Sequence, residues 1–188
     1  MSNALLVENL PNTVIIQFNR PEIRSPLSIF VLEDLHQILD ETTRSNIIFT
    51  GKADVFASGA DLREIADVTH ETAREFALRG QSLMNKISNK HAIAAVNGFC
   101  FGGALDLALA CKQRIAAPNA LFSHPGADLG IMTGWGGTQR LTRLVGQIAA
   151  LEMFLTAKRV AAAEALKIGL IDNISTNPLE SALELLAE

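Results

Sequence analysis

Cysteine is scarce in this chain. The two present, Cys100 and Cys111, fall in or beside one apolar stretch, which speaks against a disulfide framework or a metal pair, so both are expected to be buried and reduced. No stretch has the ligand spacing of a metal centre. Basic residues are scattered rather than blocked and the net charge is −4, so nucleic acid is not an expected partner. No apolar run is long enough to cross a bilayer, and Met1-Ser2-Asn3-Ala4 lacks the charged and apolar parts of a signal peptide. The expectation is a cytoplasmic protein without membrane contact. Gly98, Gly102 and Gly103 do not make the G-x-G-x-x-G of dinucleotide binding, and the G-x-S-x-G of serine hydrolases is missing. Linkers, low-complexity segments and repeats are missing too, so residues 1–188 are expected to form a single domain.

What the chain does have is 48% hydrophobic against 19% charged residues, enough for one substantial core. Residues 4–10 and 13–19 read as strands joined by a hairpin turn at Pro11-Asn12. Ser28 is placed to cap a helix running to about Thr42, with Leu32, Leu35 and Leu39 on its buried face. A short strand over 46–50 ends at Gly51, and a helical pattern starts after Asp61. A long amphipathic helix is predicted over 69–88, with Ala73, Phe76, Ala77, Met84 and Ile87 inward. Short strands follow over 113–117 and 120–123, then a glycine-rich loop over 125–137. Helices over 147–156 and 161–167, a strand over 170–174 and a helix over 178–187 complete an α/β pattern.

The stretch from Ala92 to Cys111 organises the rest. An apolar run enters a glycine-punctuated turn and leaves as a helix of small residues and leucines, so Gly102 and Gly103 allow close backbone approach. The helix N-terminus beyond them presents free N–H groups to an anion or a developing oxyanion. Asp106 lies just inside this helix with no basic residue three or four positions away. A carboxylate on an apolar element is costly to bury, which makes it a functional candidate, although an acid in a first turn also simply complements the dipole.

Four pieces occur in order over nearly the whole chain. They are Asn19-Arg20-Pro21-Glu22, Phe56-Ala57-Ser58-Gly59-Ala60-Asp61-Leu62, Ala95-Val96-Asn97-Gly98 with Gly102-Gly103-Ala104, and Gly136-Gly137-Thr138-Gln139-Arg140-Leu141. In these the chain resembles the crotonase (enoyl-CoA hydratase/isomerase) superfamily. The resemblance implies an α/β spiral of ββα units, C-terminally shortened here relative to the family's usual helical extension. It implies an acyl-CoA thioester as ligand, no cofactor beyond coenzyme A as part of the substrate, and a homo-oligomer, trimer or hexamer. By motif position the N–H groups of Ala60 and Gly103 form an oxyanion hole for a thioester enolate.

The family's hydratases carry two glutamates; here the positions hold Asp106, about 1.5 Å shorter in reach, and Gly126, which has no side chain. Glycine there also occurs in the naphthoyl-CoA synthase branch, whose bicarbonate replaces the carboxylate, but the flanking residues fit that branch poorly. If the segment is extended, His124 and Asp128 lie on the same side as position 126 and His124 is a candidate proton carrier, with a surface or hydrogen-bonded histidine as the favoured plainer reading. Asp128 is expected to be structural. Trp135 lines the acyl pocket or packs beneath the loop. Coenzyme A contact is expected from Ala57, Ser58, Gly59, Ala60, Asp61 and Leu62, with Gly102 and Gly126 at the pocket and Arg20 or Arg24 either reaching phosphate or remaining solvated. The expected activity is therefore of the hydratase/isomerase type. The alternatives are a non-catalytic acyl-CoA-binding or assembly relative and an enolate-forming decarboxylase.

Overall fold

Alternate side chains of the central strands feed two different cores, which fixes the layering of the molecule. In the computed structural model, residues 3–187 are described; Met1, Ser2 and Glu188, and with them part of the leader expectation, lie outside the described residues. The strands are β1 (Leu5–Asn9), β2 (Thr13–Phe18), β3 (Asn46–Thr50), β4 (Val55–Ala57), β5 (His91–Val96), β6 (Phe99–Phe101), β7 (Gln113–Ala116), β8 (Leu121–Ser123), β9 (Val160–Ala161) and β10 (Asn173–Ile174). The helices are α1 (Ile29–Glu41), α2 (Leu62–Ala66), α3 (Ala73–Ser88), α4 (Gly103–Ala110), α5 (Gly126–Leu129), α6 (Gly137–Val145), α7 (Gln147–Thr156), α8 (Ala162–Lys167) and α9 (Pro178–Leu185).

One sheet has the order β1-β2-β3-β5-β7-β10 and the other β4-β6-β8-β9. Each pass of the chain lays one strand in each sheet: β3 then β4, β5 then β6, β7 then β8. The larger sheet is parallel apart from the β1–β2 hairpin, in which Leu5 faces Phe18. This is the expected α/β spiral. Ile47, Phe49, Ala92, Ala94 and Val96 point into the main core. Ile48, Ile93 and Ala95 point the other way, into a second core closed by Ala182 of α9. Among the described residues no helix is long and apolar enough to cross a membrane.

Several boundaries differ from expectation. Ser28 does cap α1, accepting from Val31 N at 3.4 Å. The long helix begins at Ala73 rather than Thr69, because Thr69 and Thr72 bond each other in a turn, Thr69 N donating to Thr72 Oγ1 at 2.9 Å. Ala73 is consequently exposed, and Gly80, Leu83, Met84 and Ile87 form the buried face. The strand expected from Leu170 shrinks to Asn173–Ile174. The 125–137 loop contains α5, and α6 follows where only a loop exit was expected. Both cysteines are free and buried, which pushes their thiols up, Cys111 to about 12 and Cys100 well above its ordinary value.

Candidate active site

Two turns of small residues meet at the centre. Gly59 has φ +87, a conformation glycine adopts without strain, and a Cβ on it would lie 2.6 Å from Gly103 N. Leu27 N pins this turn by donating to Gly59 O at 2.8 Å. Across from it, Gly102 N donates to Ser123 O at 2.9 Å and Gly103 opens α4, so the Gly103 N–H has no acceptor within its helix. Ala60 and Gly103 both border a cavity of about 470 Å³.

The expected ligand-contact residues divide. Ser58, Leu62, Gly102, Gly126 and Trp135 border that cavity. Ala57 is buried in β4, and Asp61 is occupied in capping α2, accepting from Arg63 N at 2.9 Å and pairing with the guanidinium at 2.7 Å. Arg63 in turn holds the Asp61 carboxyl below its ordinary range. Arg24 is exposed with left-handed backbone, φ 63. Arg20 donates to Pro26 O at 3.4 Å and leaves its Nε buried without a partner.

Asp106 is 0% exposed on an α4 whose residues are all buried, and it does not border the cavity. Two cavity residues stand between it and the open space. The Thr133 hydroxyl donates to Asp106 Oδ2. His124 Nε2 lies 3.4 Å from Asp106 Oδ1, and each of these two atoms is buried without a hydrogen-bond partner. Burial raises the Asp106 carboxyl to about 7, against the opposing pull of the Thr133 hydroxyl, the Arg140 charge and the Trp135 backbone N–H. Burial alone pushes His124 down to about 4. Both side chains press on Gly137: a Cβ there would lie 1.9 Å from Asp106 Oδ1 and 3.0 Å from His124 Cε1.

His124 is thus neither at the surface nor hydrogen-bonded, and its ring packs on Phe154 with centroids 5.0 Å apart. The expectation that an extended segment sets it beside position 126 with Asp128 is corrected. Residues 126–129 are helical, Asp128 is exposed, and His124 enters from the end of β8. Glycine at 126 suits its backbone, since a Cβ there would meet Ile131 O at 2.3 Å.

Trp135 borders the cavity while 3% exposed. Its indole is sandwiched between α3 and α4, where a Cβ on Gly80 or Gly103 would lie 2.2 or 2.3 Å from the ring. The sequence reading missed Thr133, for a hydroxyl in a glycine-rich loop carries no signal linking it to an acid on a distant helix. Among the described residues no group of three His, Cys, Asp or Glu side chains is set to hold a metal ion.

Fold and cavity together define a two-sheet spiral with a largely apolar pocket, from which Thr133 and His124 screen a buried acid. The enoyl-CoA hydratase/isomerase family profile matches residues 10–187. A short-chain-enoyl-CoA hydratase of Clostridium acetobutylicum is 35% identical over 179 residues, 92% of this chain and 69% of that protein. A crotonyl-CoA hydratase of Syntrophomonas wolfei is 38% identical over 180 residues, 90% of this chain and 68% of that one. Among solved structures, an enoyl-CoA hydratase from Bacillus anthracis superposes with TM-score 0.91 at 34% identity, over 98% of this chain and 75% of that one. The DspI protein of Pseudomonas aeruginosa gives 0.92 at 34% identity, over 99% and 80%. The chain belongs to the enoyl-CoA hydratase/isomerase family, the crotonase superfamily.

Proposed function

We propose that this chain is an acyl-CoA enzyme of the hydratase/isomerase type that stabilises a thioester enolate. The observation carrying this reading is the meeting of the Ala60 and Gly103 turns on one cavity wall, next to the buried Asp106. Two N–H groups aimed at the thioester oxygen bind charge as it develops, and loss of one such donor typically costs ~10²–10³ in rate. Asp106 and His124 supply the acid/base function. Asp106 is protonated over part of the neutral range because burial disfavours its charge, which suits it to give as well as accept a proton. Ser58, Leu62 and Gly102 form the wall along the thioester, and Trp135 sets the floor of the acyl pocket. Self-association as a trimer or hexamer belongs to the same reading and is checked by sedimentation velocity.

A second reading, a relative that binds acyl-CoA without turnover, draws on Gly126, where the Ile131 carbonyl leaves no room for a second carboxylate. Hydration of crotonyl-CoA, followed as loss of the conjugated thioester absorbance, separates the two. The expected result is turnover that falls by about 10²-fold or more in Asp106→Asn. Crotonyl-CoA binding without turnover by the unaltered protein sinks the first reading in favour of the second.

A further inference from the structure

The acid in this site is sealed away from the cavity, and that changes how a proton travels. Asp106 is fully buried and does not border the cavity, whereas Thr133 and His124 both do. The two residues touch different oxygens of one carboxyl group: Thr133 Oγ1 bonds Oδ2, and His124 Nε2 stands 3.4 Å from Oδ1. Apart from Arg20 Nε, Asp106 Oδ1 and His124 Nε2 are the buried side-chain polar atoms without a partner among the described residues. Two orphaned atoms this close are satisfied together by a single proton between them. No other side chain intervenes, and Gly137 closes the remaining side, where a Cβ would collide with both. The other groups facing Asp106 are the Trp135 backbone N–H, the Arg140 charge on α6 and the Cys100 thiol on β6, the last fully buried and protonated.

We propose that Thr133, Asp106 and His124 form a proton wire with both ends on the cavity and a buried middle that never meets substrate. The proposal rests on the hydratase/isomerase reading and explains how one buried acid replaces two carboxylates. In the hydration direction, water adds its oxygen to the β-carbon and gives a proton to His124 Nδ1. His124 Nε2–H passes its proton to Asp106 Oδ1. With the Thr133 hydroxyl turned from Oδ2 toward the substrate, Asp106 Oδ2–H passes its own proton to Thr133 Oγ as the Thr133 hydroxyl proton goes to the α-carbon. The π pair of the double bond becomes the new α-carbon–hydrogen bond by way of the enolate, whose oxygen the Ala60 and Gly103 N–H groups hold. Every group ends with the proton count it began with, and exchange with cavity water restores the starting tautomers. Thr133 is then the residue that touches the reacting carbon, and Asp106 acts through it.

The test compares crotonyl-CoA hydration by the unaltered protein, Thr133→Ser, Thr133→Val and Asp106→Asn, with a proton inventory in mixed H₂O and D₂O on the unaltered protein. The expected result is a kcat loss of about 10²-fold or more in Thr133→Val with KM changed less than about threefold, a loss within about tenfold in Thr133→Ser, and a curved inventory from several protons in flight. Equal losses in the Ser and Val variants, or a linear inventory, overturn the wire, because then the methyl group or a single proton matters. Full activity in Thr133→Val beside an inactive Asp106→Asn overturns the wire while leaving the hydratase reading intact. Absence of turnover in the unaltered protein overturns both. The inventory needs no variant, so a misfolded Thr133→Val leaves the proposal open to refutation.

Discussion

At the scale of single residues, Asp106 and His124 make opposite demands on pH that cancel. Folding raises the Asp106 carboxyl from 3.8 to about 7, so its contribution to stability is full below 3.8 and is lost as pH rises through 7. Folding lowers His124 from 6.5 to about 4, so its contribution is full above 6.5 and is lost as pH falls through 4. Between about 4 and 6.5 the unfolded pair holds one proton on histidine and the folded pair holds one on the acid. Taken together the two groups give no slope in that window. Single replacements expose the hidden slopes. Asp106→Asn is expected to lose stability as pH drops from 6.5 to 4, and His124→Gln as pH rises from 4 to 7, each by about 1.4 kcal/mol per pH unit. Urea unfolding at several pH values checks this; parallel curves for both variants contradict it. Of this pair, the sequence exposed Asp106 through its apolar surroundings. It could not reveal the approach of His124, which depends on β8 ending beside α4.

At the scale of elements, α3 and α4 are spaced by one indole ring. Gly80 in α3 is a poor helix former, and alanine in a helix interior is ordinarily favoured by about 1 kcal/mol. Here the new methyl would sit 2.2 Å from Trp135, which is itself backed by Gly103. Overpacking of that kind costs about 1–3 kcal/mol, so the clash outweighs the propensity. Gly80→Ala is expected to lower the melting temperature and to perturb the tryptophan fluorescence; a rise in melting temperature with unchanged emission refutes the sandwich. Helix periodicity gave the buried stripe of α3 in part, through Met84 and Ile87, but not Gly80. A glycine reads as a weak point until the ring it accommodates is seen. The missed strands β4, β6 and β9 are two or three residues long, too short for any alternation to register.

At the scale of the whole molecule, the six-stranded sheet needs cover on both faces. The second face depends on α9, whose Ala182 is 0% exposed against Ile15, Ile48, Ile93 and Ile115. Ala182→Asp places an unpaired charge in that layer and is expected to cost about 3 kcal/mol or more, or to prevent folding. Equilibrium urea unfolding gives the value, and a loss under 1 kcal/mol rejects this packing. The architecture was legible from four ordered motifs through the family they resemble, whereas periodicity alone led only to an α/β pattern. The layout of the larger sheet's second core was not, since Ile47 and Ile48, or Ala94 and Ala95, look alike in sequence and part only when the pleat sends them to opposite faces.

The two buried thiols have a practical consequence. Cys100 lies in β6 and Cys111 just past the end of α4, so they bracket the helix that carries Asp106. Both are buried and held protonated, and a thiol in that state reacts poorly with alkylating reagents. Covalent labelling of either one therefore clocks how often this part of the chain breathes open. The protein carries its own pair of stopwatches, one on each side of the helix, with no engineered probe required.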